Sequence, residues 1–349
     1  MMNNCALVIH PLRPRQDVAR KYPFLAKVLP LPLIHLFSQL WPPVYLSHFQ
    51  GIRSQATGIE IEGWLLACPM TARQLMRVSP RTAYGKIVQT GRLAQKLGAR
   101  LLGLLAFTSV IGDGGVTVAR HLTIPVTTGR SLTIGVAVET LKDVAQDRGI
   151  RPGGATAAVV GATGSIGSAC AELLAPSVNR LVLVGRDKSR LSQIEERLQK
   201  ASIRTKVILS TRLEALSEVD LILSATNAAR PIIQPEHLKR EAVVCDVALP
   251  PDVSPRVVRE RPDVLVIEGG VMDVPGEVDF GFDFGLPPRK AYACMCETMI
   301  LALEGRYENY SLGKQMEPER VIEITHLARK HGFEHVMWEP GQYTDVDSN

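Results

Sequence analysis

Two cysteines stand close together near the end of the chain, in the segment AYACMCETMILALEG at 291–305. Thiols at this spacing could bind a metal, form a redox-active disulfide or supply one nucleophile. The segment is helix-like, and on a helix two residues at this spacing point about 200° away from each other. Cys294 and Cys296 therefore cannot share one metal ion, and a disulfide between them would unwind the helix. At most one thiol faces a functional cleft, and a packing role for both stays open.

The residues before the pair favour Cys294 as the reactive thiol. The helix is expected to begin near the two prolines at 287–288, which places Arg289 and Lys290 in its first turn. Their positive charge would favour a thiolate. Cys294 would lie beyond that first turn, where the helix dipole contributes little. No histidine is adjacent in sequence, so a base would have to come from elsewhere in the fold.

The strongest motif is a glycine-rich turn in VVGATGSIGSACAELL at 159–174, between an apolar strand and a helix. Glycines spaced three apart permit a tight turn, let backbone N–H groups approach a pyrophosphate and let the helix pack close to the strand. The pattern predicts a dinucleotide site, and a purely structural turn is the alternative. The predicted contacts are Gly161, Thr163, Gly164, Ser165, Ile166 and Gly167.

The next strand, LVLVG at 181–185, should carry the residue that reads the ribose. An acidic side chain there accepts from the 2′-hydroxyl, whereas arginine accommodates a 2′-phosphate. Arg186 follows the strand, with Lys188 and Arg190 close behind, so NADPH is favoured over NADH. Asp187 argues the other way, because the preference would weaken if Asp187 faced the ribose.

A second loop is expected beside the cofactor, in SATNAAR at 224–230. It follows an apolar strand, and loops at the carboxyl ends of such strands border the ribose or nicotinamide. Thr226 is the predicted contact. An ordinary strand-to-helix turn is an equally good interpretation.

The pattern of elements predicts an α/β protein. From Ala155 onward short apolar runs alternate with helices, which is typical of a Rossmann-like doubly wound parallel sheet. An N-terminal α/β domain precedes it, and C-terminal helices follow. The predicted division is 1–150 for the substrate domain, 151–285 for the NADP-binding domain and 286–349 for the helices that carry Cys294. The strand pattern is expected to end at Gly270, with helices at 288–304 and 317–331.

Composition narrows the class of protein further. A chain of 349 residues with 46% hydrophobic content can fill two cores. The sequence contains no long block of residues of one charge, so it does not indicate a disordered tail or a nucleic-acid partner. The net charge of +5 suits an acidic partner or a phosphorylated ligand. Six cysteines without framework spacing, and no signal peptide, predict a cytoplasmic protein. No metal site is predicted.

One segment, 28–45, is unusually apolar although four prolines interrupt it. The prolines exclude a membrane span. Its helical face would be formed by Leu33, Leu36, Phe37, Leu40 and Trp41. Packing onto the core is the favoured interpretation, and peripheral contact with lipid or an acyl chain is the alternative.

Several short blocks are dispersed in order through most of the chain. They are ACPM at 67–70, FTSVI at 107–111, TTG at 127–129, GATGSIG at 161–167, EGGV at 268–271, the AC at 293–294 with EG at 304–305, and KHGF at 330–333. Together these blocks resemble the cyanobacterial-type long-chain fatty acyl-[acyl carrier protein] reductases. Cys296 does not belong to the family pattern, and the apolar segment is longer than the family leads one to expect.

The resemblance implies a specific chemistry. In that family the cysteine at the position of Cys294 takes the acyl group as a thioester, and NADPH reduces it to the free aldehyde. The implied acyl donor is an acyl carrier protein or acyl-CoA, and an aldehyde-consuming enzyme is a further implied partner. For the oxyanion, Thr128, Gly129 and Ser131 are candidate donors, because TTGRS opens a helix. An ordinary helix cap is the alternative for that segment.

Two other functions stay open from the sequence. One is a different two-domain NADP-dependent dehydrogenase, shikimate-like or of the methylene-tetrahydrofolate type, which moves hydride without any thioester. The other is a non-catalytic NADPH-binding protein. Both would keep the glycine-rich turn but would not need Cys294.

Overall fold

The computed structural model describes residues 2–11, 24, 40–201, 204–228, 230–248, 250–283 and 285–336. These residues form two compact units that interleave along the chain. Unit 1 takes the described residues of Met1–Ser131, Met272–Lys314 and His326–Glu334, and unit 2 those of Leu132–Val271, Gln315–Thr325 and His335–Asn349. The predicted division into the domains 1–150, 151–285 and 286–349 stays a prediction.

The elements follow one another in chain order. The first half contains β1 Asn3–Ile9, β2 Val44–Arg53, β3 Glu60–Ala67, α1 Ala72–Arg77, α2 Pro80–Lys96, β4 Leu102–Leu104, α3 Phe107–Val110, α4 Val116–Arg120, β5 Val126–Thr127 and α5 Arg130–Asp147. The second half contains β6 Thr156–Val160, α6 Ser165–Leu174, β7 Arg180–Val184, α7 Lys188–Lys200, β8 Lys206–Ser210, β9 Leu221–Ser224, β10 Val243–Asp246, α8 Pro255–Glu260, β11 Leu265–Glu268, β12 Val271–Asp273, β13 Gly276–Asp279, β14 Lys290–Tyr292, α9 Ala293–Leu303, α10 Pro318–His331 and β15 Glu334–His335.

Unit 1 is built on a mixed six-stranded sheet with the order β13-β2-β3-β1-β4-β5. Strands β3, β1, β4 and β5 run parallel, whereas β2 pairs antiparallel with β3. The carboxyl ends of the four parallel strands therefore meet at one edge, and the loops after them can share a site. Ser79 caps α2 and Pro80 occupies its first position, as the sequence predicts.

Unit 2 is the doubly wound domain expected from the sequence. Its sheet is parallel throughout the six strands, in the order β11-β10-β9-β6-β7-β8, which is the 3-2-1-4-5-6 arrangement of Rossmann folds. Both faces are apolar because helices cover both. Alternate residues of β6 and β7 fill two separate clusters, Ala157, Val159, Leu181 and Leu183 on one face and Ala158, Val160, Val182 and Val184 on the other. The predicted fold class is confirmed.

Two details differ from the sequence prediction. Strands do not end at Gly270, since β12 to β15 follow it. The helix that carries Cys294 begins at Ala293, not near 287–288. Arg289 adopts a φ of 62° that an α-helix excludes, and its carbonyl accepts from the Val274 N–H at 2.8 Å, so this stretch pairs as a strand.

Most of the apolar segment 28–45, including Leu33, Leu36 and Phe37, lies outside the described residues. Leu40 and Trp41 are described and keep exposed surface. Among the described residues, no helix has both the length and the apolar character that crossing a bilayer requires.

Candidate active site

Cys294 differs from the other cysteines of the chain. It keeps part of its surface exposed, whereas the other five are buried, and all six are free thiols. Cys296 is completely buried, and its sulfur lies 4.0 Å from the Ala291 carbonyl oxygen. The helical geometry expected from the sequence thus separates the two side chains, and Cys296 fills space in the core of unit 1.

Cys294 is the second residue of α9 and therefore lies in its first turn. This corrects the expectation that it would lie beyond the reach of the helix dipole. Burial nevertheless raises the pKa of the Cys294 thiol to about 12, and the Glu297 carboxylate adds to the rise, while the backbone N–H groups of Ala106 and Met295 oppose it. A raised pKa is the opposite of the lowered pKa that the predicted thiolate requires, because it favours the thiol that keeps its proton. Attack on a substrate would need removal of that proton.

The backbone of Cys294 is held in place by Gly129. A Cβ at position 129 would lie 2.2 Å from the Cys294 Cα and 2.4 Å from its Cβ, and Gly129 has a φ of +71°. Both the conformation and the contact require glycine. The loop after β5 is thus packed directly against the nucleophile candidate.

A buried carboxylate fixes this contact. Glu297 is fully buried one helical turn after Cys294, and its Oε1 accepts from the Gly129 N–H at 3.1 Å and from the Thr127 hydroxyl. Burial lowers the pKa of Arg130, and the charge of Glu297 opposes that shift, which shows that the two charges interact. Glu297 therefore ties the loop after β5 to the first turns of α9.

The predicted oxyanion donors have partners inside unit 1. The Thr128 hydroxyl donates to the Ser311 carbonyl, and the Ser131 N–H donates to the Ser311 hydroxyl at 3.2 Å. The Gly129 N–H is bonded to Glu297. The structure brings these residues next to Cys294, but these three donor groups already hold neighbouring chain segments.

Two residues that influence Cys294 were not predicted from the sequence: Ala106 and Glu297. Glu297 left a signal, since it is the one charged residue within the apolar helix ACMCETMILAL. A charge is rarely placed in such a helix unless it is paired or hydrogen-bonded. Ala106 left no signal in the sequence, because its only unusual feature is its backbone conformation, with a φ of 48°.

The KHGF block at 330–333 contributes a buried histidine that contacts two other polar side chains. His331 lies between the Ser54 hydroxyl, 2.7 Å from Nδ1, and the Glu304 carboxylate, 2.6 Å from Nε2. A serine, a histidine and a carboxylate in this order form the catalytic triad of many hydrolases, but Ser54 is buried and only 2% exposed. Burial lowers the pKa of His331 against the opposing effect of Glu304. The three side chains therefore stabilise unit 1.

The glycine-rich turn of unit 2 has the geometry of a dinucleotide site. Gly161 has a φ of +82°, and a Cβ there would lie 2.5 Å from the Ala225 carbonyl oxygen. A Cβ at Gly167 would lie 2.3 Å from the Gly161 carbonyl oxygen, so that glycine allows α6 to pack on the turn. Gly164 is different, because a Cβ there would meet its nearest atom only at 3.2 Å. It precedes α6 without a side-chain cap, which leaves room for a pyrophosphate to approach.

Asp187, directly after β7, caps a helix. Its carboxylate accepts from the Arg190 N–H at 3.1 Å and caps α7. Arg190 in turn donates to the Thr163 carbonyl at 2.6 Å and so braces the glycine-rich turn. Arg186 is exposed and has no hydrogen bond or ion pair with the described part of the chain. Its guanidinium is therefore available to a ligand, and contact with a 2′-phosphate stays a prediction.

The loop after β9 is held by an acidic pair. Asp252 accepts from the Ser224 hydroxyl at 2.7 Å and from the Thr226 N–H at 2.9 Å, and Asp246 accepts from the Asp252 N–H at 2.7 Å. Burial, and then the charge of Asp252, raise the pKa of Asp246 to about 8. Thr226 is thus fixed at the carboxyl end of β9, where the sequence placed it. Ser165 and Ile166 lie in the first turn of α6.

No cluster of three or more metal-ligating side chains occurs among the residues that the structure describes. Each unit thus has its own candidate site. Unit 1 presents a positioned thiol, and unit 2 presents a glycine-rich turn that fits a dinucleotide.

Comparison with known families agrees with this geometry. Residues 143–268 match the family model described as shikimate / quinate 5-dehydrogenase. Two solved structures resemble the whole chain weakly: L-tryptophan dehydrogenase from Nostoc punctiforme, at 11% identity over 95% of this chain and 81% of that chain with a TM-score of 0.44, and shikimate 5-dehydrogenase from Listeria monocytogenes, at 12% over 93% and 96% with a TM-score of 0.39. Because these TM-scores are low, the class rests on the family match and on the site. The chain is an NAD(P)-binding protein of the dehydrogenase class.

Two relatives extend the match beyond that domain. The long-chain acyl-[acyl-carrier-protein] reductase of Synechococcus elongatus is 31% identical over 297 residues, which cover 80% of this chain and 84% of the relative. The chain therefore belongs to the family of that reductase. The aminotransferase PigE of Serratia sp. is 32% identical over 287 residues, 80% of this chain, but the chain spans only 33% of its length. Family membership alone does not settle the reaction.

Proposed function

We propose that the protein reduces a long-chain acyl thioester to the aldehyde with NADPH, through an acyl group held on Cys294. The observation that carries this proposal is the placement of Cys294. It is the one cysteine with exposed surface, it lies in the first turn of a helix, and Gly129 and Glu297 fix the backbone around it. A thiol with only a packing role needs none of these constraints.

The first step is acyl transfer. The Cys294 thiol loses its proton, its sulfur attacks the thioester carbonyl carbon, and the bond from that carbon to the donor sulfur breaks. The donor leaves as a thiol after taking up a proton. The pKa of Cys294 is about 12 in the free protein. Once substrate is bound, a proton acceptor must therefore take the thiol proton, and the charge that develops on the tetrahedral species must be stabilised.

The second step is reduction. NADPH, when bound, supplies a hydride to the carbonyl carbon of the acyl group. Residues of the chain must stabilise the oxyanion that forms on that carbonyl and then release the aldehyde. The hemithioacetal on Cys294 loses its hydroxyl proton, the carbon–sulfur bond breaks, and the sulfur regains a proton.

The donor is an acyl carrier protein or acyl-CoA, in keeping with the net charge of +5. The six free thiols suit a cytoplasmic reaction. An enzyme that consumes aldehydes is the natural recipient of the product, since a long-chain aldehyde is apolar and reactive. These partners are part of the proposal.

Steady-state turnover tests the proposal. With a long-chain acyl-CoA and NADPH, Cys294→Ser should lower aldehyde formation by at least about 1,000-fold, because a hydroxyl without a strong base is a far weaker nucleophile than a thiol. Cys296→Ser should stay within about threefold of the unmodified protein, since its sulfur makes no contact that the reaction uses. A Cys294→Ser variant with normal turnover would indicate a dehydrogenase without covalent catalysis, to which the shikimate / quinate match of unit 2 also points.

We also propose that Arg186 makes the protein prefer NADPH. Arg186→Ala should weaken NADPH binding by about tenfold or more and leave NADH binding unchanged, because only the 2′-phosphate loses a partner. Fluorescence titration of the reduced cofactors measures both constants. Arg212→Ala is the matched control, since Arg212 is equally exposed but is paired with Glu214 at 3.1 Å. Equal losses for NADPH and NADH would contradict the assignment.

A further inference from the structure

Two loops of unit 2 meet where the order of its strands reverses. Strand β6 lies between β9 and β7, and Val160 pairs with Ser224 at the carboxyl ends of β6 and β9. In open α/β sheets a dinucleotide binds outside the carboxyl ends of the strands at this point. The glycine-rich turn follows β6, and the loop that begins with Ala225 and Thr226 follows β9. Both loops therefore border the place where a dinucleotide would bind.

The two loops contact each other directly. A Cβ added at Gly161 would lie 2.5 Å from the Ala225 carbonyl oxygen and 2.9 Å from the Thr226 Cγ2. The Ala225 N–H also donates to the Val160 carbonyl at 3.0 Å. Because no methyl group fits between the loops, a shift of Ala225 or Thr226 would change the surroundings of the glycine-rich turn.

Asp252 holds the loop after β9 at three points. Its carboxylate accepts from the Ser224 hydroxyl at 2.7 Å, from the Thr226 N–H at 2.9 Å and from the Thr226 hydroxyl. Ser224 and Asp252 are both completely buried. Thr226 thus directs both of its donor groups to one carboxylate. The loop cannot move without breaking hydrogen bonds to a charged acceptor, which are stronger than those between neutral groups.

Asp252 is itself fixed through its backbone. Its N–H donates to the Asp246 carboxylate at 2.7 Å. Its carbonyl accepts from the N–H groups of Ile232 and Ile233 at 2.8 and 2.9 Å. Asp246 is the last residue of β10 and is buried. A carboxylate on a backbone held in this way sets the position of the loop after β9 and does not follow it.

From these contacts we infer that Asp252 is a positioning residue for the nicotinamide half of the cofactor. The adenosine ribose is read at the end of β7, on one side of β6. The loop after β9 lies on the other side of β6, so the part of the dinucleotide beyond the pyrophosphate meets this loop. Asp252 holds the loop in the conformation that receives it. This role needs only dinucleotide binding and does not depend on the proposed reaction of Cys294.

Binding of three ligands tests this role: NADPH, NADH and adenosine 2′,5′-bisphosphate, which carries the adenosine and its 2′-phosphate but no nicotinamide. Asp252→Ala should weaken binding of both nicotinamide cofactors by about tenfold or more, because the loop loses its hydrogen bonds to a charged acceptor. The same variant should bind adenosine 2′,5′-bisphosphate within about threefold of the unmodified protein. Calorimetric titration of the full chain measures all three affinities, and circular dichroism checks that each variant is folded.

Asp252→Asn is the conservative variant. Its amide oxygen can accept from the Ser224 hydroxyl and the Thr226 N–H, which share one carboxylate oxygen, and its amide nitrogen can donate to the Thr226 hydroxyl oxygen. It should therefore bind all three ligands within about threefold of the unmodified protein. If Asp252→Ala does not fold, Thr226→Val replaces it, since valine lacks the hydroxyl but keeps the N–H. Thr226→Val should weaken NADPH and NADH by about threefold to tenfold and leave adenosine 2′,5′-bisphosphate unchanged.

Asp220→Ala is the matched control. Asp220 joins the same two strands at their opposite, amino-terminal ends, where its carboxylate accepts from the Thr156 N–H at 2.9 Å. This variant should lower the melting temperature but leave all three affinities unchanged. Normal NADPH binding in Asp252→Ala, or in Thr226→Val where that variant replaces it, would overturn the positioning role. An equal loss for adenosine 2′,5′-bisphosphate, or an Asp252→Asn variant that binds as weakly as Asp252→Ala, would also overturn it. Because the titrations contain no acyl thioester, their result is separate from a failure of the proposed reaction.

Discussion

A Gly129→Ala variant should transfer an acyl group to Cys294 at least about 100-fold more slowly than the unmodified protein. The added methyl group would lie 2.2 Å from the Cys294 Cα and 2.5 Å from its carbonyl oxygen, so the start of α9 must shift. Backbone atoms cannot move aside as a flexible side chain does. The same overlap, together with the positive φ, should lower the free energy of unfolding by about 3 kcal/mol.

The matched control is Gly98→Ala. Gly98 also has a positive φ, +88°, but a Cβ there would meet no atom within 4 Å. It should cost only the backbone strain, about 1 kcal/mol, and leave acyl transfer unchanged. Chemical denaturation and single-turnover acylation measure the two effects. Acylation at the normal rate in Gly129→Ala would show that Cys294 is not held as described.

Replacing Glu297 should have the second large effect. Glu297→Leu removes the acceptor for the Gly129 N–H and the Thr127 hydroxyl and removes the charge that stabilises Arg130. Two buried donors then lack this acceptor, and the buried Arg130 keeps its hydrogen bonds to Thr128, Gly114 and Ser311 but loses a nearby opposite charge. The free energy of unfolding should therefore fall by about 3–5 kcal/mol. Glu297→Gln keeps an acceptor oxygen and should lose about half as much.

The two Glu297 variants also report on the thiol. The Glu297 charge helps to raise the pKa of Cys294, so Glu297→Gln should lower that pKa and make alkylation faster by about threefold to tenfold at pH 8. Thr298→Val is the control on the same helix, since the Thr298 hydroxyl is buried without a hydrogen-bond partner in the described chain. It should be neutral or stabilising and leave alkylation unchanged. Slower alkylation in Glu297→Gln would contradict the described electrostatics.

The sequence predicts unit 2 well because its signals are local. Gly161 needs a positive φ, Gly167 packs on the Gly161 carbonyl, and Gly164 stands at the start of α6. The apolar runs around them are continuous, as in a parallel sheet that is covered on both faces. Ser79 and Pro80 likewise mark the start of α2 within two residues. Such features can be recognised from neighbouring residues alone, without knowing which distant residues they contact.

The surroundings of Cys294 could not be predicted in the same way. Gly129, Glu297 and Ala106 come from three separate segments. The charge of Glu297 within an apolar helix is a local signal, but no local feature predicts which groups these residues contact. The early helix start predicted from the prolines at 287–288 failed because pairing with β12 drew 290–292 into a strand. Arg289 and Lys290 therefore do not lie in the first turn of the helix, where they were expected. Long-range pairing decided both.

Covalent catalysis by Cys294 can be read from the intact mass of the protein after incubation with a long-chain acyl-CoA in the absence of NADPH. The mass should increase by one acyl group, and this adduct should be lost in Cys294→Ser, retained in Cys296→Ser and discharged as aldehyde when NADPH is added. No adduct on the folded protein, or an adduct that survives in Cys294→Ser, would contradict it.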